Sequence, residues 1–173
     1  MFRSAFTVTR LNSFRFPSGS AGYVPDVTHR LPTITSLAEL AGHIGDDVYV
    51  RWSKGPDADA ASTSRDSLTG VELPGLSASP LRVEPWWGDR SPELWVARRL
   101  FDYRHLRELR GADVRAWVLR GTEVGRGPDN EPLVHCSEPL AWVGDGALRE
   151  CSSLVEAQHS AEWGPLDRSS RDR

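Results

Sequence analysis

Lysine is almost absent from this chain of 173 residues. Lys54 is the only one among 21 basic residues, and all the others are arginines. Codon usage in a GC-rich genome accounts for this bias more simply than selection for anion binding. The arginines are interleaved with Asp and Glu along the whole chain, without the basic block or aromatic-basic alternation that is typical of nucleic-acid binders. The sequence therefore predicts that the protein binds neither DNA nor RNA.

Cysteine is scarce as well. Cys136 and Cys151 are the only two, both lie in apolar contexts, and neither is part of a C-x-x-C motif. Zinc sites need clustered Cys and His ligands, and the five histidines fall at no metal-ligand spacing. We expect two reduced core thiols and no metal cofactor.

Long apolar runs are missing too. No stretch approaches the roughly 20 apolar residues of a membrane span, and the N-terminus lacks the apolar region of a signal peptide. These absences predict a cytoplasmic protein that does not associate with a membrane.

What remains is an ordinary globular composition, with 39% hydrophobic residues and seven tryptophans. The length suits one domain. Residues 1–30 carry four arginines among Ser, Gly and Pro, so we expect a disordered arm, with a targeting arm or a misassigned translation start as alternatives. A single domain is predicted over residues 31–158 and a second disordered tail over residues 159–173.

The first half of that domain contains signals for one helix and one strand. Ser36 and Glu39 have the spacing of a capping box, which predicts a short helix that ends by Gly45. The β-rich run Val48–Trp52 then predicts a strand. The Ala, Ser, Thr and Asp of residues 57–68 predict a long loop.

The second half is expected to hold the longest helix and a hairpin. Ser91 followed by a proline starts a helical pattern that continues to Gly111. Residues 117–124 and 131–143 predict two strands joined by a turn over residues 127–130, and Asp145 can cap a last helix. The predicted fold class is α+β, a small and mainly antiparallel sheet flanked by about three helices.

Four segments are richer in unusual residues than packing requires: VYVRWSKGP, ELPGLSAS, WVARRL and VGRGPDNEPLV. The sequences of these segments resemble those of a family of small actinobacterial proteins of unknown function. The resemblance covers about residues 31–150 and implies no activity.

A more remote resemblance is to the ADP-ribosyltransferase fold, whose members carry an arginine on an early strand, a Ser-x-Ser on a middle strand and a glutamate before a late strand. Arg51, the pair Ser77 and Ser79, and Glu131 occur here in that order. The family usually has Gln or Glu two residues before its glutamate, where this chain has Asp129.

The resemblance implies that NAD is the substrate and that its nicotinamide–ribose bond is cleaved. Glu131 would stabilise the oxocarbenium-like state and hold a ribose hydroxyl, and Ser77 or Ser79 would orient the ribose. Arg51 would bind the diphosphate. Three aromatic residues are candidates for stacking on the nicotinamide: Trp86, Trp87 and Tyr103. The acceptor would be a small molecule, a protein or a peptide.

Structural roles compete with each of these assignments. Arg51 would pair with Asp46 or Asp47, Ser77 would end a strand, and Glu131 would follow a turn. Because no G-x-S-x-G, P-loop or Cys–His arrangement is present, the second hypothesis is a non-catalytic binding or regulatory module. Its tryptophan-rich cleft would bind a peptide or a small metabolite. The oligomeric state stays open.

Overall fold

The computed structural model describes residues 31–158, and the two predicted disordered tails lie outside them. The described residues form five α-helices: α1 (Leu37–Ala41), α2 (Pro56–Ala61), α3 (Pro92–Phe101), α4 (His105–Arg110) and α5 (Asp145–Ala157). They also form six strands: β1 (Thr33–Ile34), β2 (Val48–Ser53), β3 (Leu76–Ser77), β4 (Ser79–Pro80), β5 (Arg115–Arg126) and β6 (Pro132–Val143). The predicted α+β class is confirmed, with more helices than expected.

All six strands belong to one sheet with the order β1-β6-β5-β2-β4, in which only β1 and β6 pair in parallel. β3 pairs with β6, whereas β4, one residue further along the chain, pairs with β2. This short segment therefore touches strands that lie two places apart in the sheet. As a result the sheet curls around the long β5–β6 hairpin.

Alternation along β2 divides its side chains between the two faces of the sheet. Val48, Val50 and Trp52 join the larger apolar core, which α1, α3 and α5 cover. Tyr49 and Arg51 lie on the other face with Trp117, where a second and smaller apolar cluster forms. All six residues of β2 are buried, so this central strand contributes to both sides of the domain.

The predicted N-cap of α1 at Ser36 is confirmed, but Glu39 bonds to Thr35, one residue before the N-terminal cap. The hydroxyl of Ser36 accepts a hydrogen bond from the Glu39 N–H at 3.2 Å, and the Glu39 carboxylate accepts the N–H of Thr35 at 2.7 Å. These bonds satisfy N–H groups that have no partner inside the helix.

Two predicted elements need correction. The helix expected from Ser91 to Gly111 is two helices, and the longest is α5 instead. Leu100 is the last fully buried residue of α3, whereas no residue of α4 is buried, so the apolar pattern continues past the point where the core ends. The expected loop at residues 57–68 also begins with α2, for which Pro56 supplies the fixed φ of a first helical turn.

The predicted hairpin is confirmed, and its two prolines are accommodated within β6. Pro132 opens the strand, where its missing N–H costs little. Pro139 lies opposite Leu119 next to a shift of register, and such bulges tolerate proline. The hairpin can therefore run for 12 residues on each side.

The two thiols are free, as expected. The Cys151 thiol is buried and donates a hydrogen bond to the carbonyl of Ala97 at 3.0 Å. Burial raises its pKa to about 11, so it remains protonated at neutral pH. Cys136 is half-buried, and burial raises its pKa too.

Candidate functional site

A cleft of about 860 Å³ opens beside β2. Five parts of the chain supply its walls: β2, α2 with the turn that follows it, the β3–β4 segment, α4, and the turn between β5 and β6. Its volume lies within the range of small-molecule pockets, which is about 300–1,000 Å³. We call this cavity the cleft.

Arg51 lies in the cleft lining, but other residues bind its guanidinium. Nε and Nη2 each donate to a different carboxylate oxygen of Asp59, both at 2.8 Å. Nη1 donates to the hydroxyl of Ser64 at 3.0 Å and to the carbonyl of Ser77 at 2.6 Å. Only 8% of Arg51 is exposed. Arg51 and Asp59 therefore form a buried, bidentate ion pair, which leaves few N–H donors of the guanidinium for a ligand.

Further hydrogen bonds extend this ion pair into a network. Ser53 donates to Asp59, and its hydroxyl accepts the indole N–H of Trp117 at 2.8 Å and the N–H of Gly55 at 3.1 Å. The hydroxyl of Ser64 accepts the N–H of Ser77 at 2.8 Å. β2, α2, β3 and β5 are thus tied together by side chains under the cleft. We call these residues the polar network: Arg51, Ser53, Asp59, Ser64, Ser77 and Trp117.

The predicted site residues divide into two groups. Arg51, Ser77, Ser79, Tyr103 and Glu131 all line the cleft, although they span 81 positions of the sequence. Their clustering was a requirement of the ADP-ribosyltransferase hypothesis. The remaining two candidates, the adjacent tryptophans, lie elsewhere.

Trp86 and Trp87 pack against Trp95 instead of lining the cleft. Their ring centroids lie 5.6 Å and 5.0 Å from that of Trp95, in edge-to-face arrangements. Trp87 is almost fully buried. Of the described tryptophans, Trp52 is the one in the cleft lining, so this cleft is not rich in tryptophan. Trp87, Trp95 and Trp117 are fully buried in the apolar clusters, whereas Trp86 is partly exposed.

Glu131 uses its carboxylate within the hairpin turn. Oε2 accepts the N–H of Asp129 at 3.0 Å. The carboxylate also lies over Gly127, where an added Cβ would clash with Oε1. Glycine at that position leaves room for the carboxylate to close the turn.

Exposed apolar side chains line the rim of the cleft. Leu68 is 92% exposed and Leu109 is 76% exposed. Asp66 fixes the turn that carries Leu68, because its Oδ1 accepts the N–H groups of Leu68 at 2.7 Å and Thr69 at 3.3 Å. These bonds hold the pKa of the Asp66 carboxyl below its usual value. An ordered turn therefore presents a leucine to solvent.

Most cations of the cleft lining have an acidic partner. Lys54 pairs with Asp113 at 2.8 Å, which raises the pKa of Lys54 and lowers that of Asp113. Arg65 approaches Glu72 at 3.9 Å. With Arg51 paired as well, the cleft does not present a strong positive field.

Four members of the polar network were not predicted from the sequence: Ser53, Asp59, Ser64 and Trp117. Asp59 lies in an Ala-Asp repeat that favours a loop, and it reaches the guanidinium because α2 folds the chain back toward β2. The proposed partners Asp46 and Asp47 are not used; Asp47 approaches Arg120 instead, at 3.4 Å.

No group of three or more His, Cys, Asp or Glu in residues 31–158 is arranged to hold a metal ion. Within the same residues, no helix is both long and apolar enough to cross a membrane. The prediction of a protein without a metal cofactor stays a prediction.

Comparison with known proteins identifies a family. The model of a family described as a family of unknown function (DUF6098) matches residues 27–164, which is most of the chain. No curated protein and no solved structure matches.

Proposed function

We propose that this chain, which belongs to the DUF6098 family of unknown function, is a non-catalytic domain that binds a small amphipathic molecule in the cleft. One observation carries the proposal: polar groups that already satisfy one another lie under the cleft, whereas its rim exposes unpartnered leucines. A fully satisfied polar network is rigid and keeps its geometry, and its groups are already engaged with one another.

The rim indicates what kind of molecule would bind. Exposed apolar side chains that surround a concave surface mark binding sites more often than isolated ones do. Leu68 and Leu109 would lose contact with water when an apolar ligand enters. The hydroxyl of Ser79 and the phenol of Tyr103, which also line the cleft, would fix the ligand's polar part.

A thermal-shift screen of small amphipathic molecules, with NAD, nicotinamide and short peptides included, tests this function. The fluorescent probe anilinonaphthalene sulfonate should bind the native protein saturably, and Leu109→Ser should weaken its binding about tenfold, because burial of a leucine side chain contributes about 1.5 kcal/mol or more. Val71→Ser is the matched control, since Val71 is exposed in the turn that carries Leu68 but does not line the cleft. Equal losses in both variants, or no saturable binding at all, would contradict the proposal.

NAD cleavage is the second candidate, and it is favoured by the convergence of Arg51, Ser77, Ser79 and Glu131 on one cleft. It requires the Glu131 carboxylate to leave the Asp129 N–H and meet the ribose, where its charge would stabilise the transition state. It also requires the diphosphate to bind without the Arg51 guanidinium, because Asp59 already occupies two of its N–H donors.

Glu131→Gln separates the two candidates, because glutamine keeps the acceptor for the Asp129 N–H but loses the charge. For an NAD-cleaving enzyme, the substitution should lower nicotinamide release by orders of magnitude while NAD still binds. For a binding domain, neither protein releases nicotinamide, and the free energy of unfolding changes by less than about 0.5 kcal/mol. Asp129→Asn is the control for a charge change in the same turn.

A further inference from the structure

A second cavity of about 240 Å³ adjoins the cleft, and we call it the side pocket. Ser79, Tyr103, Asp129 and Glu131 line both cavities, so a molecule in the cleft can extend into the side pocket. Two residues of its own lining, Tyr49 and Arg99, carry unused hydrogen-bond donors.

Arg99 extends from α3 and stacks on the ring of Trp95, with its guanidinium carbon 4.2 Å from the ring centroid. Its Nε–H is buried and has no hydrogen-bond acceptor within residues 31–158. A stacked guanidinium still directs its N–H groups outward in its own plane, where they suit the two oxygens of a carboxylate. Buried donors without a partner are costly, so such a group calls for an explanation.

Tyr49 presents a second donor. Only 5% of the residue is exposed, and its phenol has no hydrogen-bond partner in the described part of the chain. Burial and the nearby Glu123 raise the pKa of this phenol, so it stays protonated. Tyr49 lines the side pocket together with Arg82, Glu123 and Arg126.

The other charges of the lining restrict the ligand. Arg82 pairs with Glu84 at 3.4 Å and Arg126 with Glu123 at 2.7 Å, which leaves Arg99 as the cation without a carboxylate partner within hydrogen-bond distance among the described lining residues. Five lining residues are acidic: Asp46, Glu84, Glu123, Asp129 and Glu131. With three arginines against five carboxylates, this lining repels a multiply charged anion such as phosphate more strongly than a singly charged carboxylate, for which Arg99 and Tyr49 offer one cation and one phenol.

We propose that the side pocket binds the carboxylate of a small apolar acid through Arg99 and Tyr49, while the apolar part of that acid lies in the cleft. This assignment rests on the proposed binding function and names its ligand class. The acid is either a free organic acid or the C-terminus of a short apolar peptide.

Titration of the full chain with octanoate tests the assignment, with the side-chain Nε–H signal of Arg99 observed by NMR. Octanoate should shift that signal saturably, and octanol, acetate and inorganic phosphate should each bind at least tenfold more weakly. An N-acetylated leucine tripeptide with a free C-terminus, compared with its amide, distinguishes the peptide from the free acid as the better source of the carboxylate.

Tyr49→Phe should weaken octanoate binding about tenfold without lowering the thermal midpoint, because it removes only an unpartnered hydroxyl. Arg99→Lys should weaken it at least as much, whereas Arg120→Lys, a change at an exposed arginine outside both cavities, should have no effect. If octanol binds as tightly as octanoate, if phosphate binds more tightly, or if Tyr49→Phe has no effect, the carboxylate site is overturned and the binding function survives. If acetate shifts Arg99 but Leu109→Ser does not weaken octanoate binding, the cleft function fails and the carboxylate site stands.

Discussion

The two faces of the sheet are built on different principles. On the helix-covered face, apolar side chains such as Trp95, Leu100 and Val118 are completely buried and fill the space between sheet and helices. On the other face, the Arg51–Asp59 ion pair and its hydrogen bonds join the elements, and a cavity remains beside them. Apolar packing closes space, whereas a hydrogen-bonded network can tie elements together and still leave a cleft open.

Of the substitutions that test this difference between the faces, Asp59→Ala should lower the free energy of unfolding most. It leaves the buried guanidinium of Arg51 without its carboxylate, and loss of one partner of a buried ion pair typically costs about 3–5 kcal/mol. Urea unfolding measures the change. Asp113→Ala, which breaks the exposed pair with Lys54, should leave the unfolding curve nearly unchanged. A loss at Asp59 below about 1 kcal/mol would show that the polar network does not hold this face.

Leu100→Ala tests the opposite face. Leu100 is fully buried in the larger core, so its truncation should cost about 3 kcal/mol through lost burial and a new cavity. Binding in the cleft should persist at temperatures where the variant is folded, whereas Asp59→Ala should weaken it. Equal effects of the two variants on ligand affinity would remove the distinction between the faces.

Gly127→Ala should have the smallest effect on stability. The added methyl group meets the Glu131 carboxylate, which is the mobile end of a side chain, so the cost should be about 1 kcal/mol. Adding Glu131→Ala to the Gly127→Ala variant should recover most of the lost stability. Unfolding of the single and double variants gives the coupling directly, and additive losses would show that the carboxylate does not lie over this glycine.

Local signals predicted the elements whose structure is decided locally. The capping residues of α1 and the turn of the β5–β6 hairpin are short-range features, and both occur where the sequence places them. The break between α3 and α4 was missed because the apolar spacing continues through Leu106 while the core ends at Leu100.

The partner of Arg51 shows why the site was harder to predict. Asp47 is four residues from Arg51, and consecutive residues of a strand advance about 3.3 Å, so their Cα atoms lie about 13 Å apart. Asp59 is more distant in sequence, but α2 folds the chain back and brings its carboxylate to the guanidinium. Part of the cleft lining could therefore be predicted from the sequence. The polar network could not, because it forms only where α2 folds the chain back.

The most direct test of the account is a backbone amide NMR map of the full chain, titrated with anilinonaphthalene sulfonate. We predict that the amide shifts saturate and concentrate along the cleft, at positions such as Ser64, Ser79 and Leu109, while α1 and α5 on the helix-covered face stay unchanged. Shifts centred on α1 or α5, or shifts that spread evenly and never saturate, would contradict a binding site in the cleft.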